Sequence, residues 1–89
     1  MKSNIVLKII IKGEFFDMIK AKTKKIEYRE YTPFWISRLY NKEGKKRNYD
    51  LIEFINGYNK DARRMITKYE GFNKKGDVLL IKIGKIISK

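Results

Sequence analysis

Hydrophobic and polar residues change places along this chain with two distinct periods. Over residues 4–12 they alternate, with Ile5, Leu7, Ile9 and Ile11 on one face and Asn4, Lys8 and Lys12 on the other. Period two in β-branched residues predicts a strand with one buried face, and Gly13 ends it. From 14 to 22 the period lengthens to that of a helix carrying Phe15, Phe16, Met18 and Ile19. Glu14 and Asp17 come early and the lysines late, an order that suits the helix dipole. The Phe15-Phe16 pair reads as core rather than as a cofactor box. Alternation returns over 24–29, with Ile26 and Tyr28 on one side and Lys25, Glu27 and Arg29 on the other. Thr32-Pro33 then has the form of an N-cap followed by proline at the first helical position. It opens a short helix with Phe34, Trp35 and Leu39.

Residues 41–48 contain no apolar member and predict an exposed loop. A strand over 50–55 ends at the turn signal Asn56-Gly57. Another is expected over 62–69, with Met65 and Thr67 opposite Ile66 and Lys68, then a loop over 71–76. The last strand, 78–87, sets Leu79, Ile81, Ile83 and Ile87 on one face, with Gly84 as the site of a bulge. Five strands and two early helices predict a small α+β protein built on a curled sheet or partly open barrel. Closing such a sheet hides edges that isoleucine-rich strands would otherwise expose. With no internal repeat and no linker, the 89 residues read as one domain, 1–89.

Composition narrows the chemistry. Cysteine and histidine are both absent, which removes disulfides, zinc ribbons, thiol nucleophiles and imidazole bases. No metal and no cofactor is expected. An apolar share of 43% is that of a folded protein, not of a disordered basic tail. No apolar run approaches the roughly 20 residues of a membrane helix. The stretch 5–11 is interrupted by Lys8 and lacks a small-residue cleavage site, so it does not read as a signal peptide. The expectation is a cytoplasmic protein with no membrane partner.

Charge changes the picture most. Lys and Arg number 22 against 10 Asp and Glu, leaving +12. The cations cluster at Lys20, Lys22, Lys24 and Lys25, at Lys42, Lys45, Lys46 and Arg47, and at Lys60, Arg63 and Arg64. Tyr28, Tyr31, Trp35, Tyr40, Tyr49 and Tyr58 lie among them. Interleaved cations and rings suit phosphate contacts with base stacking, which points to a nucleic acid. A merely solubilising surface, enriched in lysine by an AT-rich coding sequence, is the other reading of the same charge.

Two constellations stand out. Glu27 and Arg29, two apart on a strand, leave on the same face beside Lys24, Lys25 and Glu30. They make either a surface ion pair worth at most about 1 kcal/mol or a partly buried pair offering a planar fork to a phosphate or base edge. Spacing leaves both open. Asn56-Gly57-Tyr58 is either an ordinary turn whose tyrosine covers the core edge, or an amide and a ring that read and stack on a base. No phosphate loop, metal carboxylate pair or nucleophile elbow is present.

Phe15-Phe16-x-x-Ile19 followed by Lys24-Lys25-Ile26-Glu27-Tyr28-Arg29-Glu30 resembles the ASCH family, a branch of the PUA-like superfold. Lys24, Glu27 and Arg29 match the lysine, glutamate and arginine of its G-x-K-x-x-E-x-R signature, and Lys22 stands where the glycine is usual. Thr32-Pro33-Phe34-Trp35, Arg38-Leu39, Asn56-Gly57-Tyr58 and the closing residues 81–87 are similar to short phage and bacterial members. The resemblance runs in order over nearly the whole chain. It implies a small PUA-like β-barrel of about five strands with two short helices, and RNA binding in a cleft beside the signature strand.

Lys24, Lys25, Glu27, Arg29, Trp35, Arg38, Asn56 and Tyr58 are therefore the candidate nucleic-acid-binding residues. Lys24 and Arg38 would meet phosphate, Glu27 would accept from a base or position Arg29, and Trp35 or Tyr58 would stack. Some relatives hydrolyse an acylated cytidine or cleave RNA. A hydrolase alternative gives catalysis to Lys24 and Glu27, although Glu27 stands where the amidohydrolase branch has threonine. A third reading is a phage inhibitor that binds a host nucleic-acid-targeting complex.

Overall fold

The computed structural model describes residues 5–88; Asn4, expected on the outer face of the first strand, lies outside them. The chain runs β1 (Val6–Ile11), α1 (Gly13–Lys20), β2 (Ile26–Glu30), α2 (Pro33–Leu39), β3 (Leu51–Asn56), β4 (Arg64–Lys75) and β5 (Val78–Ser88). The result is a small α+β fold whose five strands form one curled, half-barrel sheet in the order β1-β3-β4-β5-β2. Among the described residues only β1 and β3 pair in parallel. The core is a single cluster on the sheet's inner face, in which Leu7, Ile9 and Ile11 meet Phe16, Ile19, Leu39, Phe54 and Ile81. Among the described residues no helix is long and apolar enough to cross a membrane.

Helix α2 starts where its cap dictates. The Thr32 hydroxyl accepts from Trp35 N at 3.4 Å and Pro33 fills the first turn of α2. Helix α1 buries Phe16 and Ile19 but leaves Phe15 and Met18 exposed, so only half of its apolar set is core. It ends at Lys20, two residues before the expected limit. There Thr23 N donates to Met18 O and Lys22 N to Ile19 O, both at 2.9 Å, and Lys22 sits at φ +66°. This is a Schellman closure with a lysine in the left-handed position that glycine favours.

Pairing corrects two expectations and decides a third point. The loop expected over 71–76 is strand, because Lys75 pairs with Val78 around a Gly76-Asp77 turn and Phe72 is buried opposite Ile81. Gly71, at φ +93°, absorbs an extra residue of β4 and lets the strand continue. The bulge expected at Gly84 is present, since Thr67–Tyr69 on β4 spans the same length as Ile83–Ile86 on β5. It reverses the strand's parity beyond it. Ile86 therefore packs on the core, and Ile87, expected there, is 50% exposed.

The third point concerns β2, where alternation left the buried side open: Glu27 is only 4% exposed while Tyr28 faces out. The register explains it: Glu27 lies opposite Ile81 and Arg29 opposite Leu79, both fully buried. A five-residue strand adopts the parity of the long apolar strand it pairs with.

Away from β2, the rings of Tyr49 and Tyr69 meet edge to face at 5.4 Å. The Tyr49 hydroxyl donates to Arg38 O, whereas the buried Tyr69 hydroxyl has no partner. Burial, with a smaller push from Tyr49, raises the Tyr69 pKa from 10.0 to about 12.

Candidate nucleic-acid interface

The sheet stops short of closure between its two edge strands, β1 and β2, and the ends of both helices flank that seam. A cleft of about 700 Å³ opens there. Its floor is the Glu27 carboxylate, which the parity of β2 turns inward. A buried carboxylate requires partners, and it has two. Arg29 donates from Nε to Glu27 Oε2 at 2.6 Å, and its Nη2 forms an ion pair with the same oxygen at 2.5 Å. Lys24 places Nζ 3.4 Å from Glu27 Oε1 and also donates to Ile26 O at 2.7 Å. The geometry selects the buried reading of the Glu27–Arg29 pair over the surface one.

Arg29 does more than neutralise Glu27. Its Nη2 donates at 3.1 Å to Ile10 O on β1, the opposite edge of the sheet. Its guanidinium lies 4.9 Å from the Trp35 ring centre. Among the described residues, Arg29 Nη1 has no protein acceptor and the Asn56 carboxamide makes no side-chain hydrogen bond. Asn56 is held beside Gly13, where an added Cβ would come within 3.4 Å of Oδ1. Tyr58 follows Gly57 at φ +87° and projects into solvent, 91% exposed. The turn is anchored by Gly57 N donating to Ile11 O at 3.1 Å.

Of the residues expected at the site, Glu27, Arg29, Trp35, Asn56 and Tyr58 line this one cleft. Lys24 reaches it from behind Glu27, its ammonium 5.1 Å from the Phe15 ring centre and 5.3 Å from that of Tyr28. Arg38 does not line it; its guanidinium stacks 3.6 Å from the Phe34 ring centre, outside the cleft. Lys25 belongs to a second depression, described below. Phe15, Phe34 and Ile10 line the cleft without having been singled out. The available signal was large apolar residues at positions the core did not need.

Several clustered cations are occupied within the protein. In the loop after α2, Lys46 donates to Phe72 O at 2.8 Å and Arg47 to Tyr40 O at 3.0 Å. Arg63 pairs with Asp17 at 3.0 Å. Arg63 is offset by an acid, whereas Lys46 and Arg47 keep their charge but are held in place by main-chain carbonyls. No model of a known protein family matches this chain, and no curated protein matches it at a significant level.

Proposed function

We propose that this chain is an RNA-binding domain of the PUA-like, ASCH type that takes an unpaired nucleotide into the seam cleft. The observation that carries this reading is the cleft's pairing of a buried carboxylate and arginine with the exposed ring of Tyr58. A site for bare phosphate would be ill served by Glu27 and Glu30 in its wall. A nucleobase has both donors and acceptors on its edge and two π faces. Arg29 Nη1 and the Asn56 amide supply hydrogen bonds, and Tyr58 or Trp35 supplies a stacking surface. Glu27 acts here by positioning Arg29, since the oxygen nearest the arginine is already filled. The +12 charge draws the polyanion from a distance.

Trp35 is the chain's single tryptophan and reports directly on the cleft. The test is a fluorescence titration against single-stranded RNA, double-stranded RNA and DNA at two salt concentrations, followed by a gel of the same RNA. Salt-sensitive quenching with intact RNA supports the reading. Tyr58→Ala, at an exposed position, should weaken binding by about 1–3 kcal/mol, the worth of one stacked base. Binding unchanged in Tyr58→Ala and in a folded Glu27→Ala, Arg29→Ala double variant would place RNA elsewhere. Cleavage that vanishes in Lys24→Ala or Glu27→Ala would replace binding with the hydrolase reading.

A further inference from the structure

A second depression, of about 630 Å³, lies where the turn after α1 meets the end of β5. Its apolar floor includes Ile19, Ile83 and Ile86, and its rim carries Lys22, Lys24, Lys25 and Lys85. None of its lining residues is acidic, in contrast to the seam cleft. Three of these lysines are neighbours in sequence; Lys85 is brought to them by the β5 bulge. We infer that this groove binds the phosphodiester backbone of the RNA strand whose base enters the cleft. The inference rests on the RNA-binding reading above and extends it to a second, sequence-independent site.

Three observations converge on it. First, Lys22, Lys25 and Lys85 are exposed and make no ion pair or side-chain hydrogen bond among the described residues, unlike Lys46, Arg47 and Arg63. Their charge is left for an external anion. Second, Lys22 occupies a left-handed backbone position at φ +66°, where a side chain is unfavourable and glycine would be relaxed. The Schellman closure of α1 requires that backbone conformation, and the chain places a lysine there, on the groove rim, where glycine would be the relaxed choice. Third, Lys24 links the two depressions: it lines the groove, and its ammonium lies 3.4 Å from Glu27, which lines the cleft. A strand laid along the groove would approach the cleft at Lys24.

Apolar floor and cationic rim suit sugars below and phosphates above. The same combination would also meet an anionic lipid surface, but continuity with the cleft through Lys24 favours the nucleic acid. Glu70 lies beside the groove, its Oε2 2.7 Å from where a Cβ on Gly84 would stand. It packs against the bulge without lining the groove.

The test compares Lys22→Gln, Lys25→Gln, Lys85→Gln as a triple variant with a charge-matched triple at Lys8, Lys45 and Lys60. Each is titrated with a ten-nucleotide and a three-nucleotide single-stranded RNA pool over a salt series. For single strands each phosphate contact contributes about 0.7 to the slope of log affinity against log salt. The groove triple should lower that slope by about 2 for the longer RNA and weaken its binding on the order of tenfold or more. The three-nucleotide pool should bind nearly as it does to wild type, and the control triple should keep most of the slope.

Equal losses in both triples would overturn the groove and leave only a diffuse field. So would a groove triple that binds the longer RNA with wild-type slope, or one that loses anionic-vesicle binding alone. Absence of RNA binding by the wild-type protein itself would instead remove the reading on which the groove depends.

Discussion

Arg29 on one edge strand donates to the main-chain carbonyl of Ile10 on the other, 3.1 Å away, and spans the open seam of the half-barrel. The same guanidinium is clamped by Glu27 at 2.6 Å. An unpaired sheet edge is a liability, and here one side chain joins two of them. Planarity matters: a guanidinium directs several donors at fixed angles, and an ammonium does not. Arg29→Lys should keep the charge yet lose either the Glu27 or the Ile10 contact. The expected result is a loss of about 1–2 kcal/mol in urea unfolding, with faster amide exchange along β1. A variant as stable as wild type would mean the seam is held by the helices alone.

Glu27 tests the same arrangement from the buried side. Removing one partner of a buried pair commonly costs about 3–5 kcal/mol. Arg29 and Lys24 keep part of their side chains in water, so Glu27→Ala should cost about 2–3 kcal/mol. Glu27→Gln preserves the shape and an acceptor and should cost less. Denaturant melts of both variants settle it. Equal, negligible losses would show that the carboxylate is dispensable to the fold.

These two residues also show what was legible in the sequence. Strand alternation, the Thr32-Pro33 cap and the Asn56-Gly57 turn are local signals, and the elements they define stand within a few residues of their expected bounds. What escaped was set by partners. The inward facing of Glu27 follows from its register with Ile81, which lies over fifty residues away in the chain. The extension of β4 through Gly71 to Lys75 depends on pairing with β5 and looked like a polar loop in isolation. Ile86 and Ile87 exchange places because of the Gly84 bulge, which the glycine announced but whose effect on parity strict alternation did not include. The seam residues were readable as a set; the lysine groove, completed by Lys85, was not.

Lys22 offers the clearest single-residue stability test. At φ +66° a lysine pays for its Cβ, and glycine there would not. Part of the gain is returned because glycine also loosens the unfolded chain. Lys22→Gly should therefore stabilise the protein by roughly 0.5–1 kcal/mol. If the groove serves RNA, the same variant should weaken binding while raising the melting temperature. A destabilised Lys22→Gly would show that the turn is not strained.

Tyr69 makes a prediction at the alkaline end. Its hydroxyl is buried without a partner, and burial, with Tyr49 adding to it, raises its pKa from 10.0 to about 12. In the unfolded chain the group loses its proton near pH 10, while in the folded chain it keeps it to about 12. Between those values the unfolded state binds fewer protons, so stability falls as pH rises; below that window Tyr69 adds no pH dependence. Tyr69→Phe removes both the titration and the unpaired hydroxyl. At neutral pH the variant should be as stable as wild type or more stable by up to about 1 kcal/mol. Through the alkaline window its urea midpoint should decline less steeply than that of wild type. Parallel decline in the two proteins would mean that the Tyr69 hydroxyl reaches water in the folded state.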